Sequence, residues 1–217
     1  MAMERTEGVE VRQRDAERTK REIINAARAE FAETGLAGTS LDAIARAAGV
    51  DKRLLYYYFE DKAGLFVAVI GDIVGGIREA EKHLKLTEMD PVDAIRVLIQ
   101  FSWDYYLEHP DFIRLINSEN LYRAEHMARL EHVHEMNQPL VHVLGEILER
   151  GRASGVFRGG VDPVQLYVSI VGLTYYYVSN QHTLSLMFKR DLMTPRAQAE
   201  RLSHVTDVIM GYLLRDY

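Results

Sequence analysis

The fold is decided by one stretch of the sequence, residues 39–59, which reads TSLDAIARAAGVDKRLLYYYF. Ser40 is a residue type that caps the start of a helix, and Gly49 can adopt the left-handed backbone that ends a helix in a tight turn. Asp51 can then cap a second helix. Two short helices joined by a glycine turn are typical of a helix-turn-helix, so we predict one over this stretch.

The second helix of this motif exposes side chains that suit nucleic acid. Its first residues, Lys52, Arg53 and Leu54, lie where a recognition helix faces base edges in the major groove. Lysine and arginine pair with guanine acceptors, and the hydroxyls of Tyr56 and Tyr57 can donate to phosphates. At this point an ordinary helical hairpin with a few exposed basic residues remains the alternative.

Helical periodicity extends along most of the chain. Apolar residues recur with helical spacing, as at Ile23, Ala27 and Phe31, and no segment alternates as a strand would. We therefore predict an all-α fold of about nine helices, in which an N-terminal three-helix domain precedes a larger C-terminal helical bundle. The predicted organisation is a flexible tail over residues 1–14, a helix-turn-helix domain over 15–62 and the bundle over 63–217.

Composition narrows the possible functions. The chain has 217 residues, no cysteine and a net charge of −6, which excludes disulfides and cysteine nucleophiles and argues against a uniformly basic coat for nucleic acid. The stretch Arg12–Arg21 is nevertheless locally positive. Because no apolar segment is long enough for a bilayer span and none resembles a signal peptide, we expect a cytoplasmic protein with no membrane partner.

The run from Ile23 through Phe66 resembles the N-terminal domain of TetR-family transcriptional regulators. The match is gapless, whereas beyond Lys62 only the general plan of the family is shared. The resemblance implies a homodimeric repressor that binds double-stranded operator DNA. The residues that carry it are Ala27, Phe31, Gly35, Thr39, Ser40, Ile44, Ala45, Ala48, Gly49, Val50, Leu55, Tyr56, Phe59, Lys62 and Leu65.

The family pattern also implies a role for each matching residue. Phosphate contacts would come from the start of the first motif helix, from the tyrosine pair and from the lysine that opens the next helix, and base contacts from the start of the recognition helix. The implied phosphate contacts are Thr39, Ser40, Tyr56, Tyr57 and Lys62, and the implied base contacts are Lys52, Arg53 and Leu54.

The basic N-terminal stretch suggests further contacts to DNA, and three residues depart from the family pattern. We expect Arg14 and Arg18 to approach phosphates or a minor groove as an N-terminal arm. Asp51, Tyr58 and Asp42 stand where the family usually has serine, histidine and a basic residue. Phosphate contacts at Tyr58 and Asp42 are therefore not expected.

By the same resemblance, the C-terminal bundle binds a small-molecule effector of unknown identity. A pocket for such a ligand needs apolar walls and a few polar groups. The helix predicted over residues 124–152 contains Pro139, which should kink it. The candidate pocket residues are Trp103, Tyr106, Phe112, Asn117, His126, Leu130, His134, Gln138 and Tyr176.

The last two long helices, predicted over residues 163–182 and 195–214, have broad apolar faces. By resemblance they form a four-helix interface with a second copy, which makes a two-fold dimer. Such a dimer implies a pseudo-palindromic operator with half-sites ~34–36 Å apart or a multiple of this spacing. The expected interface residues are Leu166, Ile170, Leu173, Val205, Val208, Ile209 and Leu213.

An enzyme is the competing interpretation of a helical bundle. Glu131 and His134 form a Glu-x-x-His pattern, but a di-iron carboxylate bundle needs two such motifs, and phosphate-binding and hydrolase motifs are absent from the sequence. We expect no catalysis, no cofactor and no metal. A metal-dependent helical enzyme and a dimeric adaptor without a DNA role remain the alternatives.

Overall fold

The computed structural model describes the backbone of residues 2–214 and the side chains of residues 14–214. This part of the chain is helical and has no strand, as the sequence predicts; one isolated bridge pairs Phe157 with Leu214. No helix in it is long and apolar enough to cross a membrane. The helices are α1 (Ala2–Gly38), α2 (Leu41–Ala48), α3 (Lys52–Phe59), α4 (Lys62–Lys82), α5 (Pro91–Glu108), α6 (Pro110–Leu121), α7 (Val133–Ala153), α8 (Pro163–Ser179), α9 (Gln181–Phe188) and α10 (Pro195–Leu213), with single 3-10 turns at Leu86–Glu88 and Met127–Arg129.

Two predicted helices have different bounds in the structure. The helix predicted from residue 124 begins only at Val133, because Ala124 (φ 61°) and His132 (φ 63°) adopt left-handed backbone that a helix cannot include. The helix predicted over residues 163–182 is two helices, since α8 ends before Asn180 and α9 follows it. The helix α7 continues through Pro139.

The N-terminal tail predicted over residues 1–14 falls mainly where the side chains are not described, and Met1 lies outside the described residues. The backbone from Ala2 onward is part of α1. The flexibility of this segment therefore stays a prediction.

The chain divides into two compact units. The first comprises residues 1–74 together with 114–131, and the second comprises 75–113 together with 132–217. The first unit extends past the boundary predicted after residue 62, while the assignment of folding domains stays a prediction.

The first unit is built on a core of fully buried side chains from α1, α2, α3 and α4. Phe31 and Phe66 pack edge to face with ring centroids 5.1 Å apart, an arrangement that aromatic pairs favour. Ile44 of α2 and Leu55 of α3 are also buried. Gly49 has φ 67° and caps α2, so the glycine turn of the helix-turn-helix forms as predicted.

The second unit has its core among α5, α7, α8 and α10. One cluster of buried side chains includes Ile95 and Leu98 of α5, Leu144 of α7 and Phe157, each at most 1% exposed. Phe157 lies directly against Gly151 of α7, where a side chain would collide with its ring. The close approach of Phe157 therefore requires glycine at this position.

Five of the residues expected at a dimer interface belong to this core instead. Leu166, Ile170, Val205, Ile209 and Leu213 are at most 3% exposed in the single chain. The protomer's own helices cover four of them, whereas Ile209 also lines a surface groove formed by α8 and α10. Burial of the other four within the protomer disfavours them as direct contacts to a second copy, whereas Val208 is exposed and Leu173 is half-buried. The interface itself stays a prediction.

We expect Gly151→Ala to destabilise the protein by ~1–3 kcal/mol, because the new methyl group overpacks a filled site against the Phe157 ring. Gly145→Ala is the matched control on the same helix, since no atom lies within 4 Å of the added carbon there. The control should be neutral or slightly stabilising through helix propensity. Urea unfolding midpoints measure both effects, and equal midpoints for the two variants would contradict this packing.

Candidate DNA-binding surface and candidate ligand cavity

Ser40 caps α2 as predicted and stays on the surface. Its hydroxyl oxygen accepts hydrogen bonds from the backbone N–H groups of Asp42 (3.2 Å) and Ala43 (3.4 Å). A serine hydroxyl that accepts in this way can still donate its own proton. Ser40 is exposed, so that proton can reach an anion in front of the N-terminus of α2.

Thr39 is buried, so its side chain does not make the phosphate contact that the family pattern implies. Its hydroxyl donates to the carbonyl of Gly35 at 2.7 Å and lies 2.7 Å from the hydroxyl of Thr34. Its backbone N–H also bonds to the Gly35 carbonyl, at 3.2 Å. Thr39 therefore positions the α1–α2 junction, and no local pattern of residues indicates its burial.

Lys62 reaches back from the first turn of α4 to the same junction. Its ammonium donates to the carbonyl of Thr39 at 3.1 Å and to that of Ala37 at 3.4 Å. A lysine has three donors, so one N–H is left for another acceptor. The side chain is half-buried, and its first role in the described structure is to hold the helix-turn-helix together.

The helix α3 turns an apolar side inward and a polar side outward. Asp51 caps it by accepting the N–H of Arg53 at 2.8 Å, and Leu55 is buried. Arg53 is exposed, Tyr56 is 49% exposed and Tyr57 is 78% exposed. The residues placed on the outer face by sequence lie there in the structure, with Leu54 half-buried at its edge.

Lys52 forms an ion pair that the sequence analysis missed. Its ammonium lies 2.9 Å from a carboxylate oxygen of Asp42 at the start of α2. The hydrogen bond to that carboxylate raises the pKa of Lys52. The two residues lie ten positions apart in the sequence, and only the turn at Gly49 brings the two helix starts together, so no local pattern marks the pair.

The start of the described part of α1 is exposed and internally paired. Arg14 and Arg18 are both exposed. The guanidinium of Arg18 lies 3.2 Å from the carboxylate of Asp15 and 3.9 Å from that of Glu22. Exposed pairs of this kind contribute little and exchange readily, so the role of both arginines as an arm stays a prediction.

The residues predicted for an effector pocket fall in both units and differ in burial. Three aromatic residues of this set, Trp103, Tyr106 and Phe112, are buried among other rings. Trp103 contacts Tyr177 with centroids 5.6 Å apart, and Tyr106 stacks on Phe112 at 5.9 Å. These large aromatic side chains fill the core and do not line a cavity. Of the others, Asn117, His134, Gln138 and Tyr176 are exposed, Leu130 is half-buried and His126 is buried.

His126 is held by a buried carboxylate within the first unit. Glu119, which is 2% exposed, accepts hydrogen bonds from the backbone N–H of His126 (2.9 Å) and Met127 (2.7 Å), and its other oxygen lies 2.9 Å from His126 Nδ1. The imidazole packs edge-on against Phe66. These contacts satisfy the pair internally, and among the side chains of residues 14–214 no cluster of three His, Asp or Glu could hold a metal ion.

A cavity of about 190 Å³ lies elsewhere in the second unit. It is bounded by the last turns of α4, the 3-10 turn at Leu86–Glu88 and the first half of α7. Its lining includes none of the predicted pocket residues. The lining residues are Arg78, Glu81, Lys82, Lys85, Leu86, Thr87, Met136, Pro139, Leu140 and Val143.

A buried ion pair lies at the polar side of this cavity. One terminal nitrogen of the Arg78 guanidinium lies 2.8 Å from Glu81 Oε2, and the other donates to the hydroxyl of Tyr167 at 2.8 Å. The Glu81 side chain is only 5% exposed. Burial raises the pKa of Glu81 to about 7 despite the attraction of Arg78, because the ionised form loses its hydration. Burial also raises the pKa values of the nearby hydroxyls of Tyr106 and Tyr167.

The outer sides of α8 and α10 carry apolar residues that the protomer leaves uncovered. Val164, Val168 and Tyr176 of α8 are exposed, as are Val208 and Tyr212 of α10. A groove lined by residues of both helices runs beside Val208 and Tyr212. Apolar residues at these positions are available for association, and the groove includes Leu173, Val208 and Ile209 of the residues expected at the interface.

Family models match both parts of the chain. The model described as "Bacterial regulatory proteins, tetR family" matches residues 23–69, and the model described as "Tetracyclin repressor-like, C-terminal domain" matches residues 91–209.

Relatives and solved structures resemble the chain over most of its length. The HTH-type transcriptional repressor NicS of Pseudomonas putida is 36% identical over 205 residues, which are 94% of this chain and 97% of that protein. The HTH-type transcriptional repressor SCO4008 of Streptomyces coelicolor is 31% identical over 76% of this chain and 81% of that protein. The crystal structure of the putative transcriptional regulator SCO4942 of the same organism has a TM-score of 0.66 at 23% identity, covering 91% of this chain and 99% of that one.

Glu81 should make the stability of the protein depend on pH. Because its folded-state pKa of about 7 lies above its ordinary value, its contribution is fully present at acidic pH and is lost as pH rises through 7. We expect the wild type to lose roughly 2–3 kcal/mol from this group between about pH 5 and about pH 8. In Glu81→Gln this loss should disappear, as measured by urea unfolding at both pH values.

The exposed Glu146→Gln change serves as the control, and its unfolding should follow the wild-type pH dependence. A Glu81→Gln variant that differs from the wild type by the same amount at both pH values would show that Glu81 keeps its ordinary pKa in the folded protein.

Proposed function

This chain belongs to the TetR family of bacterial transcriptional regulators, and we propose that it represses genes by binding a palindromic operator through α3 and is released when a small molecule binds its second unit. Relatives named as HTH-type transcriptional repressors match most of the chain. Family membership favours a regulator over the metal-dependent enzyme and the adaptor that the sequence left open. Because a repressor must reach the chromosome, we also propose a cytoplasmic location.

The observation that carries the DNA-binding proposal is the outer face of α3. A capped helix anchored inward by Leu55 presents Arg53, Tyr56 and Tyr57 outward from its first two turns. This is the part of a recognition helix that meets base edges. A guanidinium can donate two hydrogen bonds to one guanine, so we assign base reading to Arg53.

The remaining residues of this surface offer two kinds of donor, hydroxyl groups and lysine ammonium groups. Ser40, Tyr56 and Tyr57 have exposed hydroxyls that can donate to phosphates. Lys62 can offer its third N–H to a phosphate while it keeps its two carbonyl acceptors. Lys52 reaches a base only if it leaves Asp42, so its contribution is smaller than that of Arg53.

The proposed dimer uses the exposed apolar side chains of α8 and α10. A two-fold axis would place Val168, Val208 and Tyr212 of one protomer against the same face of its partner. Such symmetry gives two recognition helices and a palindromic operator with half-sites about one helical turn, ~34–36 Å, or a multiple of it apart.

Effector release follows from differential affinity. A small molecule that binds the DNA-free protein more tightly than the operator-bound protein lowers operator affinity. The factor by which it does so equals the ratio of its two affinities.

The experiment that tests this function is sequencing of sheared genomic DNA retained by the purified protein. We expect enrichment of a short palindrome by the wild type and its loss in the variant Lys52→Ala/Arg53→Ala, because the base-reading groups are removed. Both proteins should show the same thermal unfolding, since both side chains lie on the surface of α3. Enrichment that is identical for the two proteins, or absent from both, would contradict the proposal.

Asp42 should weaken binding to random DNA, because its carboxylate holds Lys52 and repels phosphates at the start of α2. In Asp42→Asn we expect affinity for a scrambled duplex to rise by about three- to tenfold, and the slope of log K against log salt to steepen by about 1 as Lys52 becomes free to contact phosphate. Fluorescence anisotropy over a salt series measures both quantities.

Asp93→Asn is the matched control, since Asp93 is also an exposed aspartate in the first turn of a helix and the net charge changes equally. It should leave the salt slope unchanged. If the two variants gave the same slope, the Lys52–Asp42 pair would have no part in DNA binding.

A further inference from the structure

We propose that the cavity bounded by α4, the Leu86–Glu88 turn and α7 binds a small organic anion, a carboxylate carried on a compact apolar body. This inference rests on the proposed function, because it gives the effector a site and a chemical class. The cavity lies wholly within the second unit.

The charges of the lining favour an anion. Arg78, Lys82 and Lys85 supply three cationic groups, against the single carboxyl group of Glu81. Lys82 is also paired with Glu79 at 2.9 Å, outside the lining. A site with this excess of positive charge attracts a carboxylate and repels an amine of the same shape.

Unused hydrogen-bonding groups show where the carboxylate would bind. The two terminal nitrogens of the Arg78 guanidinium face Glu81 and Tyr167, but its Nε–H is buried without a hydrogen-bond acceptor. Glu81 Oε2 is likewise buried and forms only the ion pair with Arg78, 2.8 Å away, without a hydrogen bond of favourable geometry. Buried polar groups normally find partners. A ligand carboxylate could accept from Arg78 Nε, and Glu81 in its neutral form could donate to it.

The charged and titratable groups near Glu81 lie on α4 itself, on α5 and on α8. Arg78 lies on the same helix, Tyr106 on α5 and Tyr167 on α8, and both tyrosines are neutral hydroxyl donors. The part of α7 that lines the cavity is uncharged and supplies Met136, Pro139, Leu140 and Val143. Arg78 is therefore the one buried cation of the described lining that faces the carboxyl group.

The apolar side and the volume define the rest of the ligand. The four α7 residues and Leu86 form a wall that suits a hydrocarbon body. The volume of about 190 Å³ is below the roughly 300–1,000 Å³ of pockets for drug-sized ligands. The ligand is thus about the size of one six-membered ring with a carboxylate.

The test is isothermal titration calorimetry of the full-length protein with three probes of one shape, benzoate, benzamide and benzylamine, at neutral pH. We expect saturable binding of benzoate with a Kd below about 1 mM and at least tenfold weaker binding of the other two, as the basic lining requires. Benzamide binding as tightly as benzoate, or no saturable binding of benzoate, would overturn the proposal.

Three variants test where benzoate binds while the buried pair of Arg78 and Glu81 stays intact. Val143→Phe fills the cavity, and it should reduce benzoate affinity at least tenfold. Val141→Phe adds the same volume on the same helix, but at the neighbouring outer groove, and should leave the affinity unchanged. Lys85→Gln removes an exposed cation and should weaken benzoate roughly three- to tenfold.

Urea unfolding of each variant confirms that it is folded before binding is compared. Equal benzoate affinity in Val143→Phe and wild type would place the ligand elsewhere and overturn the assignment.

The genomic retention experiment separates this inference from the proposed function. A protein that enriches a palindrome but does not select benzoate overturns the anion site and leaves the repressor standing. A protein that selects benzoate but enriches no DNA keeps the anion site while the proposed function fails.

Discussion

The ammonium of Lys62, bound to the carbonyl of Thr39, closes the helix-turn-helix into a loop. Everything between the two residues, including the Gly49 turn and all of α3, is held at both ends by this contact and by the hydroxyl of Thr39 on Gly35. Because the charge-assisted bond is part-buried, it is stronger than an exposed one. The direction in which α3 presents Arg53 and its tyrosines depends on this junction.

The same helix that begins with Lys62 ends with the charged groups of the cavity. Arg78 and Glu81 form a pair whose desolvation is only partly offset by their attraction. A buried pair with unused hydrogen-bonding atoms gives little net stability, so stability alone does not explain why the site is polar. A carboxylate ligand would supply the missing acceptor for Arg78, and the ordinary apolar side chains of α7 would contact the rest of the ligand.

Local features made the helix-turn-helix predictable, and long-range packing made the rest difficult. The caps Ser40 and Asp51 and the turn at Gly49 act over a few residues, so sequence alone located them. The burial of Thr39 and the pairing of Lys52 depend on how helices meet, which no local pattern records.

Several residues predicted for the interface and for the pocket are buried for a similar reason. Helices α8 and α10 are apolar on more than one side. Large aliphatic residues such as Ile170 and Val205 face the protomer's own core. Large aromatic residues such as Trp103 fill space rather than surround it. The cavity is instead marked by charged residues near the end of α4, where a sequence normally suggests a solvated surface.

On the proposed assignment, Arg53 reads a base from a helix whose position is fixed by the Thr39–Lys62 junction. The most direct measurement is the affinity of wild type and Arg53→Ala for the enriched palindrome with each base pair replaced in turn, symmetrically in both half-sites. We expect the variant to lose ~1–3 kcal/mol of discrimination at one base pair of each half-site and to keep its preferences elsewhere. A variant that binds every duplex more weakly by the same factor, scrambled DNA included, would contradict the claim and reduce Arg53 to a phosphate contact.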